Sequence, residues 1–133
     1  MNKSTIKQIL FFGFIGGVGF VVDTTILYLL KDNFGLYISR LVSFICAVFV
    51  TWILNRNITF KAQRRTNKFY EFLYYLWCMI FGGMANLLTY YLLVSYVITV
   101  LNYPIVGVAA GSIAGMVINF ISSKFLVFNN EKT

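Results

Sequence analysis

A single carboxylate interrupts an apolar stretch near the N-terminus. Asp23 is the only charged residue of segment 8–30, and an ionised carboxylate in apolar surroundings is costly unless it is paired, protonated or facing water. Arg40 and Lys31 are its nearest candidate partners. Three interpretations stay open: a structural ion pair with Arg40, a site that couples a proton or a substrate, or a carboxylate that snorkels to a polar surface.

Two cations lie at corresponding ends of apolar segments, and each is followed four residues later by a phenylalanine. Arg56 precedes Phe60, and Lys124 precedes Phe128. Each cation and its phenylalanine could form an interfacial anchor, with the cation at lipid phosphate and the ring in the interface. Alternatively, the two cations together bind the phosphate of a substrate. Arg56 suits the second role better, because its planar guanidinium binds phosphate bidentately.

Small and polar residues recur with a step of four, which places them on one face of a helix. A shift of 68 residues matches two such stripes, Ser39, Ser43, Ala47, Thr51 and Asn55 with Gly107, Gly111, Gly115, Asn119 and Ser123. Small residues let helices approach closely in lipid, so the stripes, like Gly13-x3-Gly17, predict packing within one bundle, contact between subunits or contact with a lipid chain. The amides of Asn86 and Asn119 either bridge helices or contact a substrate.

The remaining residue types argue against metal, redox and acid–base chemistry. The chain has no His, and its two cysteines, Cys46 and Cys78, are far apart within apolar segments. No nucleophile–base pair, carboxylate dyad or glycine-rich phosphate loop is visible. We therefore predict no metal site, no cofactor and no enzymatic activity of the chain alone.

The elements that position these residues are membrane helices. Of 133 residues, 59% are hydrophobic and only 11% are charged, against about 25% charged in soluble domains. Four apolar segments, 8–30, 37–54, 72–98 and 104–121, are long enough to cross a membrane, and helices satisfy their own backbone groups there. We predict an all-α polytopic membrane protein: a single domain, 1–133, of four transmembrane helices in two parallel tandem helical hairpins, about 8–60 and 70–128. The first segment is too long for a signal peptide and is expected to be retained.

The distribution of positive charge predicts the orientation. Nine cations fall on one side, Lys3, Lys7, Arg56, Lys61, Arg64, Arg65, Lys68, Lys124 and Lys132, and only Lys31 and Arg40 on the other. By the positive-inside rule both termini and the middle loop face the cytoplasm. The middle-loop cations are expected to enforce topology and to attract anionic lipids, and no nucleic-acid partner is expected.

The whole pattern resembles the GtrA-like family, which includes the membrane domain attached to some dolichol-phosphate mannose synthases. The resemblance covers residues 9–128. Its carriers are Gly16-Gly17 followed by Asp23, Arg40-Leu41-Val42-Ser43-Phe44, Asn55-Arg56-x-x-Thr59-Phe60, and Asn119-Phe120-x-x-x-Lys124-x-x-Val127-Phe128.

The resemblance implies translocation (flipping) of a polyprenyl-phosphate-linked monosaccharide, such as undecaprenyl-phosphate glucose, across the bacterial inner membrane for cell-surface polysaccharide synthesis or modification. A membrane-associated glycosyltransferase would make this lipid on the cytoplasmic face. Arg56 and Lys124 would then bind the phosphate, and Asp23 with Arg40 would gate the outer end. The sugar would follow a polar track of Thr51, Asn55, Asn86, Asn119 and Ser123.

Two other functions stay open. The chain is either a scaffold that recruits and orients a glycosyltransferase without transporting lipid, or a small multidrug-resistance-type exporter, which also has four helices and an acidic residue in the first. The strong charge bias argues against the exporter, because such proteins often insert in both orientations. The sequence is also compatible with a homodimer, since four helices enclose a narrow path and the glycine faces allow contact between copies.

Overall fold

The computed structural model describes residues 2–63 and 65–128. Four of its helices are long and apolar enough to cross a membrane, Lys3–Gly35, Ile38–Thr59, Lys68–Tyr96 and Ala109–Val127, and they are called the first to fourth spans below. The fourth belongs to a helix that begins at Pro104, and the short helix Ile98–Asn102 precedes it. The described residues contain no strand. The predicted all-α, four-span architecture is confirmed.

The first two spans form an antiparallel hairpin around one glycine. Helical structure runs over Lys3–Leu54 with non-helical backbone at Gly35 alone, where φ is 79° and ψ is 169°. This positive φ is accessible to glycine because it lacks a Cβ atom. The hairpin is longer than segments 8–30 and 37–54 predict, since polar residues extend its ends: the Asn2 side chain caps the first span by accepting from the Thr5 N–H at 2.8 Å.

The third and fourth spans form the second hairpin, and glycines set their separation. The Cβ that an alanine would carry at Gly111 falls 2.6 Å from the backbone oxygen of Asn86, and that at Gly115 falls 2.9 Å from the oxygen of Gly82. The two backbones therefore touch directly, and the predicted close-packing face on the fourth span is confirmed. In contrast, a Cβ at Gly17 meets nothing within 4 Å, so Gly17 is not in close contact with any residue of 2–63 or 65–128.

Each hairpin ends in a π-helical turn at the same end of the bundle. These turns are Asn55–Thr59 and Ser123–Val127, and their 68-residue separation is the shift that matches the stripes. The residues that follow them, Phe60 and Phe128, stack with ring centroids 4.8 Å apart. We call this the basic end, because it holds Lys3, Lys7, Arg56, Lys61, Arg65, Lys68 and Lys124; Arg64 and Lys132 lie outside the described residues. The opposite end, with the Gly35 turn, is the far end.

A cluster of aromatic and aliphatic side chains fills the bundle toward the basic end. Its buried members are Phe12, Val48, Trp52, Phe60, Tyr75, Cys78, Val127 and Phe128. They come from all four spans, so this cluster joins the two hairpins. On the far-end side of this cluster the spans do not fill the space between them, and they enclose a cavity.

Candidate functional site

A cavity of about 450 Å³ lies between the four spans, and every span contributes to its lining. Its volume is within the range of about 300–1,000 Å³ that is typical of ligand sites. Polar groups from different helices face it: Asp23, Thr51, Asn55, Tyr75, Asn86, Ser112 and Asn119. The structure thus brings together Asp23 and four of the five residues expected to form a polar track.

The cavity is elongated along the helices. On the first span its lining extends from Phe12 to Asp23, which is about 16 Å at 1.5 Å per residue. Gly16 and Gly83 widen it, because a Cβ added at either would meet nothing within 4 Å. At its basic end Phe12, Val48 and Tyr75 belong both to the lining and to the aromatic cluster, which forms a floor below the polar groups.

A buried hydrogen-bond network occupies this floor. The Asn55 amide donates to the Tyr75 hydroxyl at 2.9 Å, and that hydroxyl donates to Thr51 Oγ1 at 3.0 Å. Thr59 Oγ1 donates to Asn55 Oδ1 at 2.8 Å. Each of the four residues is buried, so the network fixes the orientations of the groups that Thr51 and Asn55 present to the cavity.

The two asparagines of the second hairpin occupy notches left by glycines on the opposite helix. A Cβ at Gly82 would fall on the Asn119 carboxamide, and one at Gly111 would lie 2.5 Å from Asn86 Oδ1. The Oδ1 atom of Asn119 is buried and has no hydrogen-bond partner among the described residues. A buried carbonyl oxygen without a donor is costly, and this one belongs to a side chain that lines the cavity. Because this oxygen packs against Gly82, it could accept a hydrogen bond from an entering hydroxyl group only after the side chain turns toward the cavity.

Asp23 and Arg40 form an ion pair at the far end of the cavity. Arg40 Nη1 donates to both carboxylate oxygens at 2.7 Å. The Asp23 side chain is 18% exposed and that of Arg40 is 59% exposed, so the pair lies at the rim of the cavity. Of the three interpretations of Asp23, the structure shows the ion pair that joins the first two spans.

The two cations expected to bind phosphate lie outside the cavity lining, at the basic end. The Arg56 guanidinium is already paired: its Nε is 2.8 Å from Glu71 Oε1, and its Nη2 donates to the backbone oxygen of Arg65 at 2.9 Å. Lys124 Nζ donates to Thr5 Oγ1 at 3.0 Å. Ser123, the fifth track residue, is fully buried and does not line the cavity.

Comparison with known proteins agrees with this architecture. The family model described as GtrA/DPMS, transmembrane domain, matches residues 11–128. The chain belongs to this family. Members are usually non-catalytic membrane proteins, and membership is consistent with a multi-pass membrane protein of polyprenyl-phosphate sugar processes. A sequence search among curated proteins gave no match.

Two residues of this GtrA/DPMS domain have structural roles that the sequence pattern does not predict. Glu71 is fully buried at the start of the third span, where it accepts from Trp52 Nε1 at 2.9 Å and from the backbone N–H of Arg65. Arg65 was expected only to enforce topology and attract lipid. Instead its guanidinium is buried and donates to the backbone oxygens of Leu126 and Val127, which the π-helical turn leaves available. The signal for Glu71 was its isolation: it is the only acidic residue of segment 33–130.

Proposed function

We propose that this GtrA/DPMS protein translocates a polyprenyl-phosphate-linked monosaccharide, such as undecaprenyl-phosphate glucose, across the bacterial inner membrane for cell-surface polysaccharide synthesis or modification. The observation that supports this most is the shared cavity, because polar groups of all four spans converge on it. A sugar has many hydroxyl groups and no net charge, and the lining offers amide and hydroxyl partners rather than a concentration of charge.

The track residues have distinct roles in this proposal. Thr51, Asn55, Asn86 and Asn119 exchange hydrogen bonds with the hydroxyl groups of the sugar, which offsets the loss of water inside the membrane. The first acceptor that we assign is Oδ1 of Asn119, which has no donor within the described part of the chain and would turn from Gly82 toward the sugar. The Asp23–Arg40 pair is the gate at the far end, since separating the two side chains would widen the rim.

We propose that the basic end faces the cytoplasm together with both termini, and that the phosphate docks there first, before it crosses the membrane with the sugar. Lys124 there exchanges its Thr5 partner for phosphate, and Arg56 engages phosphate only by giving up Glu71. A partner glycosyltransferase supplies the lipid on this side, and the exposed cations Lys61 and Lys68 face anionic lipids. The isoprenoid tail remains in the hydrocarbon region throughout.

Reconstitution of the purified full chain tests this proposal. Liposomes carry labelled undecaprenyl-phosphate glucose on one leaflet, and its arrival on the other is followed with a reagent that cannot cross the membrane. We expect transport by the protein alone, and slowing by roughly tenfold in Asn119→Ala, the effect of losing one hydrogen bond of about 1.4 kcal/mol.

The matched control is Asn102→Ala, which removes an exposed amide near the far-end loop and should leave transport unchanged. A well-folded protein that moves no lipid contradicts the transport proposal and favours the scaffold for a glycosyltransferase. Proton-coupled efflux of a cationic dye would instead favour the multidrug exporter.

A further inference from the structure

A second, apolar space lies on the seam between the first and fourth spans. This groove of about 270 Å³ is lined by Thr5, Ile9 and Phe12 on one side and by Met116, Val117 and Phe120 on the other. The Thr5 hydroxyl is the one polar side-chain group among these six. Val117 is 46% exposed, so the groove is accessible from the surface that faces lipid.

The groove adjoins the polar cavity through a thin partition. Phe12 and Met116 line both spaces. The Cβ position of Gly13, which faces this partition, is 3.9 Å from Met116 Sδ. Methionine is unbranched and has three rotatable bonds, so it can change conformation without moving a helix. A molecule lying across the seam would therefore reach both an apolar and a polar compartment.

A cation marks the basic end of the groove. Lys124 Nζ is hydrogen-bonded to Thr5 Oγ1 at 3.0 Å and lies 5.9 Å from the centroid of the Phe120 ring; both of these residues line the groove. An apolar channel with an ammonium group at one end is complementary to an anionic head group attached to a hydrocarbon chain.

The seam between the third and fourth spans offers no comparable entry. There the two backbones are in contact at Gly111 and Gly115. An added methyl group at either glycine would clash with a backbone oxygen of the third span. The first and second spans are joined by the Gly35 turn and by the Asp23–Arg40 pair. Opening either of those seams would separate close backbone contacts or an ion pair, whereas the first–fourth seam already contains space.

We infer that the groove between the first and fourth spans binds the isoprenoid tail of a phosphorylated isoprenoid lipid, with the phosphate at Lys124 and the attached sugar entering the cavity past Met116. This inference rests on the proposed function and adds to it the side from which the lipid enters. The tail stays in contact with the bilayer along the groove while the head group lies between the helices.

Photocrosslinking with the full chain in liposomes tests the groove. A photoreactive amino acid is placed at Val117, or at Leu87 of the third span as a control, because both side chains are exposed. The probe is undecaprenyl phosphate with a clickable tag near the end of its tail. We expect several-fold stronger capture at Val117 than at Leu87. An excess of unlabelled undecaprenyl phosphate should compete with the probe, whereas the same molar excess of phosphatidylglycerol should not.

The cation is tested in the same assay. Lys124→Gln should weaken capture at Val117 several-fold, whereas Lys68→Gln, which removes an exposed cation of the same end, should leave it unchanged. Equal capture at the two positions, or equal competition by phosphatidylglycerol, would show an ordinary lipid site and overturn the inference. Unchanged capture in Lys124→Gln would overturn the assignment of the phosphate.

Parallel transport measurements separate this inference from the proposed function. Transport without preferential capture at Val117 contradicts the groove and leaves the transport proposal intact. Preferential capture without transport supports the groove and contradicts transport, since the groove then serves a scaffold that holds the lipid for another enzyme.

Discussion

Arg56 Nε lies 2.8 Å from Glu71 Oε1, and this ion pair joins the end of the second span to the start of the third. The Glu71 side chain is fully buried and that of Arg56 is 11% exposed. Trp52 Nε1 and the backbone N–H of Arg65 donate to the same carboxylate. Glu71 therefore connects the two hairpins and anchors the loop between them, and it competes with any phosphate for Arg56.

Removing Glu71 should destabilise the protein strongly. Glu71→Ala leaves Arg56 Nε without its counter-ion and the Trp52 N–H without its acceptor, and losing one partner of a buried ion pair costs about 3–5 kcal/mol. Thermal unfolding in detergent measures the effect. Asp32→Ala, which removes an exposed carboxylate near the Gly35 turn, is the matched control and should unfold at the wild-type temperature; equal behaviour of the two variants would contradict a structural role of Glu71.

The step of four in the sequence predicted much of this site, and helix geometry explains why two of the predicted residues do not line the cavity. The step of four placed Thr51 and Asn55 on the inner face of the second span, because successive residues of a helix point about 100° apart. For the same reason Arg56, one residue further, points away from the cavity. Ser123 continues its stripe but lies about 6 Å beyond Asn119 along the helix, where the aromatic cluster fills the bundle.

The sequence does not predict which cation of the loop between the hairpins is buried. A run of cations predicts a solvated surface, and positive charge alone does not show that Arg65 turns inward. Its burial depends on Glu71, six residues further along the chain, and on the Val127 backbone oxygen of the fourth span, 62 residues away. Contacts of this kind follow from tertiary structure and leave no periodic pattern.

The glycine at position 111 should be essential for the second hairpin. An alanine there would place its Cβ 2.6 Å from the Asn86 backbone oxygen, and backbone atoms cannot yield as a flexible side chain can. We expect Gly111→Ala to destabilise the protein by about 1–3 kcal/mol. In Gly83→Ala, where the new Cβ meets nothing within 4 Å, the unfolding temperature should stay unchanged or rise, because alanine is about 1 kcal/mol more favourable than glycine in a helix.

The Tyr75 hydroxyl should stabilise the cavity floor. Tyr75→Phe removes the acceptor of the Asn55 amide and the donor to Thr51, which leaves buried polar groups unpaired at a cost of about 1–3 kcal/mol. Tyr91→Phe removes an exposed hydroxyl from the same span and is the control. Unfolding temperatures that fall equally in both variants would show that the network contributes nothing specific.

Exchanging the charges of Asp23 and Arg40 distinguishes a gate from a site of proton coupling. Asp23→Arg and Arg40→Asp each place like charges face to face at the rim, and their repulsion prevents the gate from closing. Transport of undecaprenyl-phosphate glucose should fall in either single variant, because the proposed gate has to close as well as open in each cycle. The double variant restores an opposite pair across the same two helices. If the pair acts only as a gate, the double variant should recover most of the lost transport. Asp32→Arg, which adds a cation at the far end away from the pair, is the control and should leave transport unchanged. A double variant that is well folded and still inactive would show that transport requires the carboxylate of Asp23 itself, as proton coupling does.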